Sequence, residues 1–190
     1  MPLSVEMFLD DETEKAVRHL WAAIAAGGIC DYMSTSGSRP HISLGVFDAG
    51  DEGRIAQMLD RLSGTAAPPR IRLSAHGRFP GTRVFFLAPS PTRELLAIQE
   101  SVHGELDGLG VKVWPNYAPG EWYPHCTLAM NAADNTADRL EALVDRAVLP
   151  KETRIESMGL VRFRPVFHVA VHALRGPDAP PGPPQGPPAA

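Results

Sequence analysis

Cysteine is scarce in this chain. There are two in 190 residues, and they stand far apart as Cys30 and Cys126. With no CxxC pair and no multi-cysteine framework, a zinc knuckle and a disulfide-scaffolded fold are excluded, and a reducing cytoplasm is the expected location. Surplus positive charge is missing too: 18 Lys and Arg stand against 22 Asp and Glu, a formal net charge of −4. That balance argues against coating duplex DNA, because non-specific nucleic-acid affinity comes mainly from cations that neutralise phosphates. No apolar run reaches the length needed to span a bilayer, and residues 1–6 carry no basic stretch ahead of an apolar one, so neither a membrane segment nor a leader is expected. A glycine-rich phosphate loop of recognised spacing is absent as well.

The remainder is ordinary for a soluble domain with a sizeable core, 44% hydrophobic and 21% charged, and a monomer is the expected state. Residues 1–176 read as one domain of two repeats, about 1–80 and 81–176. Residues 177–190 are dominated by Pro and Gly without apolar periodicity; such a tail cannot bury enough surface to offset its ordering entropy, and disorder is expected there.

Periodicity orders the domain. A strand is expected over 3–9, with Ser4 and Glu6 alternating against Leu3, Val5 and Met7, then an Asp-capped helix over 12–26 in which Trp21 reads as core. A motif strand runs to Phe47, and an amphipathic helix covers 51–62. Strands over 71–79 and 83–88 flank Pro80-Gly81-Thr82, a turn. A helix follows Pro91, then an aromatic loop with Trp114, Tyr117 and Trp122, a second motif strand to Met130, a helix capped by Asn135 or Thr136, and closing strands over 154–164 and 166–174.

Within that order one pattern is written twice, as Arg39-Pro40-His41-Ile42-Ser43-Leu44 and as Tyr123-Pro124-His125-Cys126-Thr127-Leu128. In an extended strand side chains alternate faces, so His41 and Ser43 share one side with Arg39, while Ile42 and Leu44 turn to the other; His125, Thr127 and Tyr123 repeat the arrangement. Each copy sets an imidazole beside a hydroxyl on a strand whose reverse face is apolar. Of the seven histidines, His41 and His125 alone have a hydroxyl residue two places on. Cys126 turns away from that face and reads as a buried thiol. His168 and His172 share a strand face, but no companion ligands complete a metal site, and no cofactor is called for.

Two H-x-[ST] motifs in duplicated strand-helix-strand halves resemble the 2H phosphoesterase superfamily, and Tyr-Pro-His-Cys-Thr-Leu is similar to its branch of RNA 2',3'-cyclic phosphodiesterases and 2'-5' RNA ligases. The resemblance implies an α+β, duplicated bilobal fold, with two pseudo-two-fold-related antiparallel sheets lining a central groove and helices outside. It implies a metal-independent hydrolysis in which His41 and His125 act as acid and base and Ser43 and Thr127 bind the phosphate. The partner would be an RNA 3' end or a small nucleotide carrying a cyclic phosphate. Ligation, the same chemistry in reverse, and phosphate binding without turnover are the alternatives. Arg39 is the candidate for holding a phosphate, and Tyr123 and Trp122 for stacking on a base or sugar.

Overall fold

The first strand departs from its expected alternation, and the departure locates the core. Leu3–Leu9 is buried along its whole length, with Ser4 and Glu6 as enclosed as the apolar residues between them. A strand buried on both faces lies inside a sheet with cover on each side. The computed structural model describes residues 1–150 and 152–176, so the Pro/Gly segment expected to be disordered lies outside the described residues.

In chain order the elements are β1 (Leu3–Leu9), α1 (Asp11–Ala26), α2 (Tyr32–Thr35), β2 (His41–Phe47), α3 (Glu52–Thr65), β3 (Arg70–Ile71), β4 (Leu73–Arg78), β5 (Phe85–Pro89), α4 (Arg93–Gly108), β6 (Cys126–Ala129), α5 (Ala137–Arg146), β7 (Thr153–Arg162) and β8 (Phe167–Ala173). Helix α1 starts where Asp10 accepts a hydrogen bond from the Thr13 amide at 2.9 Å, and it buries Val17, Leu20, Trp21 and Ile24. The one-turn α2 carries no apolar repeat of its own and was not expected from the sequence.

The fold is α+β, with two antiparallel sheets among the described residues. The larger runs β2-β1-β7, with both β3 and β8 paired to β7; the smaller runs β4-β5-β6. Each sheet draws on both halves of the chain. The expected single strand over 71–79 is in fact two, because the chain leaves β7 after Ile71 and joins β5 from Leu73, crossing between sheets at Arg72. Strands β2 and β6, which carry the two motifs, are end strands of their sheets. No helix among the described residues is long and apolar enough to cross a membrane.

Candidate active site

His41 opens β2 and His125 immediately precedes β6. In each case the ring turns back on the strand entry: His41 Nδ1 lies 2.6 Å from the Arg39 carbonyl oxygen, and His125 Nδ1 lies 2.8 Å from that of Tyr123. A carbonyl can only accept, so each Nδ1 carries the proton and donates it. In a neutral ring that leaves the Nε2 lone pair as the free acceptor. Both rings, with Ser43 and Thr127, line one cavity of about 540 Å³. The four residues expected to share a site are therefore brought together.

The two histidines sit in different surroundings. His125 is walled by aromatic rings, Phe79 edge-on at 4.8 Å and Phe86 at 5.6 Å between ring centroids. Burial pushes its pKa below the ordinary histidine value; the bond to Tyr123 opposes this, and repulsion from His41 adds to it. His41 instead faces a carboxylate, with Glu6 Oε1 3.6 Å from its Nε2. That oxygen also accepts a 2.6 Å hydrogen bond from the Ser4 hydroxyl, and Glu6 is 5% exposed. The Tyr117 phenol, hydrogen-bonded with Ser43, completes this wall. Burial raises its pKa to about 12, and the Glu6 charge reinforces the shift against the opposing Ser43 bond.

Glu6, Tyr117 and Phe79 were not read as site residues from the sequence. The one signal for Glu6 was a lone charge inside an apolar strand, that for Tyr117 its place in the aromatic loop ahead of the second motif, and nothing local marked Phe79. Arg164, in the turn between β7 and β8, also lines the cavity and holds a left-handed φ of 71°, uncommon for a side chain of its size.

Two expected substrate contacts are corrected. Arg39 does not line the cavity: β2 begins only at His41, so strand alternation does not extend to it. Its Nε and Nη2 instead donate to Glu14 Oε2 at 3.1 and 2.8 Å, and the guanidinium lies 4.4 Å from the Phe8 ring centroid. Burial works to raise the pKa of Glu14, but the bonds from Arg39 and Arg18 outweigh it and hold the carboxyl below its ordinary value. Trp122 is 8% exposed and its indole N–H donates to the Ser43 carbonyl at 2.8 Å, so its ring is a packing element and not a stacking platform. Tyr123 and Trp114 do line the cavity, with Tyr123 half exposed and edge-on to Phe79. Cys126 is fully buried, and burial pushes its thiol up to about 12, so at neutral pH it carries no thiolate to act as nucleophile. Among the described residues no group of three or more His, Cys, Asp and Glu is placed to hold a metal.

Two histidine-hydroxyl strands closing on one cavity between two antiparallel sheets define the class, a 2H phosphoesterase. The chain belongs to the 2'-5' RNA ligase superfamily, whose family model matches residues 8–165. No curated protein matches it. Among solved structures it is similar to TT0787 of Thermus thermophilus, at 24% identity and a TM-score of 0.63 over 93% of this chain and 100% of that one. It is also similar to E. coli LigT complexed with 3'-AMP, at 17% identity and a TM-score of 0.61 over 92% and 99% of the two chains. At these identities the likeness establishes the fold.

Proposed function

We propose that this protein hydrolyses a 2',3'-cyclic phosphodiester, on an RNA 3' end or a small nucleotide, with His125 as general base and His41 as general acid. The observation that carries the reading is the pair of imidazoles, each anchored through Nδ1, that line one cavity with a hydroxyl two residues beyond each ring. His125, held toward its neutral form, takes a proton from water on Nε2. The resulting hydroxide forms a new bond to phosphorus, the bond from phosphorus to one ribose oxygen breaks, and His41 Nε2 delivers its proton to that oxygen. Protonated His41 has Glu6 as its charge partner. Ser43 and Thr127 donate to the non-bridging oxygens as negative charge builds there. Each proton transfer contributes roughly 100- to 10,000-fold, and neither calls for a metal.

The cavity has the volume of a small-ligand site, about 540 Å³, and Tyr123 and Phe79 offer faces and edges to a base. LigT has been solved in complex with 3'-AMP, with NADP+ and with ATP, which supports a nucleotide as occupant here. The family's name also favours 2'-5' ligation, in which the same histidines run the reaction backwards.

The test is to incubate EDTA-treated protein with 2',3'-cyclic nucleotides, with RNA ending in a 2',3'-cyclic phosphate, and with paired RNA half-molecules, beside the His41→Ala/His125→Ala double variant. Hydrolysis by the wild type alone is expected. Joined half-molecules without hydrolysis would favour the ligase, and binding without either reaction would overturn the catalytic reading.

A further inference from the structure

We infer that Trp21 and Trp122 are reciprocal positioning residues: each reaches from one half of the chain to the backbone of the phosphate-binding residue in the other. The Trp122 indole N–H donates to the Ser43 carbonyl at 2.8 Å, and the Trp21 indole N–H donates to the Thr127 carbonyl at 3.0 Å. Trp122 lies in the loop before β6 and holds β2; Trp21 lies on α1 and holds β6. Both rings are buried, at 8% and 2% exposure.

The topology gives these bonds their meaning. As end strands, β2 and β6 ladder with β1 and β5 respectively, and their outward carbonyls take partners from outside the sheet, as Val46 takes the Trp114 amide where Phe47 bridges Val113. An indole N–H is a donor only and must find an acceptor when buried. Each tryptophan takes the carbonyl of the motif's hydroxyl residue, two places after the histidine. That bond fixes the peptide plane and with it the direction of the Ser43 or Thr127 side chain. Because each bond spans the two halves, the pair also fixes the separation of the two motif strands. Reacting groups misplaced by about 1 Å can lose on the order of 100-fold in rate.

The experiment replaces each tryptophan in turn by β-(3-benzothienyl)alanine, which keeps the ring's size and puts sulfur where the N–H was. Three quantities are read: kcat and KM on a 2',3'-cyclic nucleotide, the affinity for inorganic phosphate from the ring-proton shifts of His41 and His125, and Tm. Either replacement is expected to lower kcat about 10- to 100-fold with KM changed far less. It should weaken phosphate binding about tenfold, the equivalent of one hydrogen bond, and move Tm by only about 2–4 °C. Wild-type kcat and phosphate affinity in both replacements would overturn the inference, and so would a loss of activity matched by an equal loss of folded protein. The turnover arm rests on the proposed hydrolysis and the phosphate arm does not. A wild type that binds phosphate but turns over no cyclic nucleotide would sink the hydrolysis, and the phosphate affinities would then decide the role of the tryptophans.

Discussion

At the scale of single residues, the two histidines share a motif and a backbone anchor but differ in what surrounds them. Phe79 and Phe86 desolvate His125, and His41 repels its charged form, so its folded-state pKa lies below the 6.5 of a free side chain. The unfolded chain therefore binds this proton more readily than the folded one. The stability linked to His125 is fully present above about pH 6.5 and is lost as pH falls through the lowered folded value. A ring-proton NMR titration should place the His125 midpoint below 6.5. Phe79→Ala, which lets in water, and His41→Ala, which removes the repulsion, should each move it upward. A midpoint at or above the ordinary histidine value in the wild type would contradict the assignment of His125 as base. His41→Ala and His125→Ala should each cut kcat by roughly 100- to 10,000-fold, with circular dichroism unchanged because both rings sit at the cavity wall.

Among the elements, β1 and α1 organise the site through their junction. Asp10 caps α1, and its second oxygen accepts from the Thr153 hydroxyl at 3.0 Å and the Arg154 amide at 2.8 Å, tying the helix start to β7. Burial pushes its carboxyl pKa up, but these bonds together outweigh it and hold the pKa below the ordinary value. Its contribution is thus present above about pH 4 and is lost as pH falls through the folded value. Asp10→Ala should destabilise the protein by about 2–3 kcal/mol, a lost cap plus stranded donors, read from urea midpoints. On β7, Gly159 pairs with Glu6. A Cβ there would collide with the Ala170 carbonyl and come within 3.1 Å of the Phe8 ring. Gly159→Ala should cost about 1–3 kcal/mol in the same measurement and displace β1, with Glu6, relative to His41. A Gly159→Ala protein with wild-type stability would mean that the sheet relaxes there freely.

Across the whole molecule, sequence halves and sheets do not coincide. Strand β4, from the first half, lies in the small sheet with β5 and β6, while β7 and β8, from the second half, complete the large one. Neither half can bury its apolar faces by itself, since β1 is enclosed by β2 on one side and β7 on the other. Residues 1–80 and 81–176 produced as separate chains should each give the poorly dispersed NMR spectrum of an unfolded chain, and dispersion should return on mixing if the halves complement. A dispersed spectrum from either half alone would refute this account of the core.

Local chemistry was enough to read much of this from the sequence. The two H-x-[ST] copies, the helix that buries Val17, Leu20, Trp21 and Ile24, and the hairpin turn at Gly81 follow from residue spacing, which acts over a few positions and needs no distant partner. The fate of polar side chains next to the motifs did not follow from it. Arg39 is drawn away by Glu14, Trp122 is taken up by the Ser43 carbonyl, and Glu6, on a strand flanked by two others, is enclosed in the cavity wall. Phe79 reaches the same cavity from a turn whose sequence says nothing of its destination, and Tyr117 from the aromatic loop, where spacing does not tell which ring faces the cavity. The sequence alone determined which groups recur in the two motifs, because periodicity and motif spacing are properties of neighbouring residues. Only the tertiary structure decided which of them face one another, because pairing across strands and burial depend on residues far away in the chain.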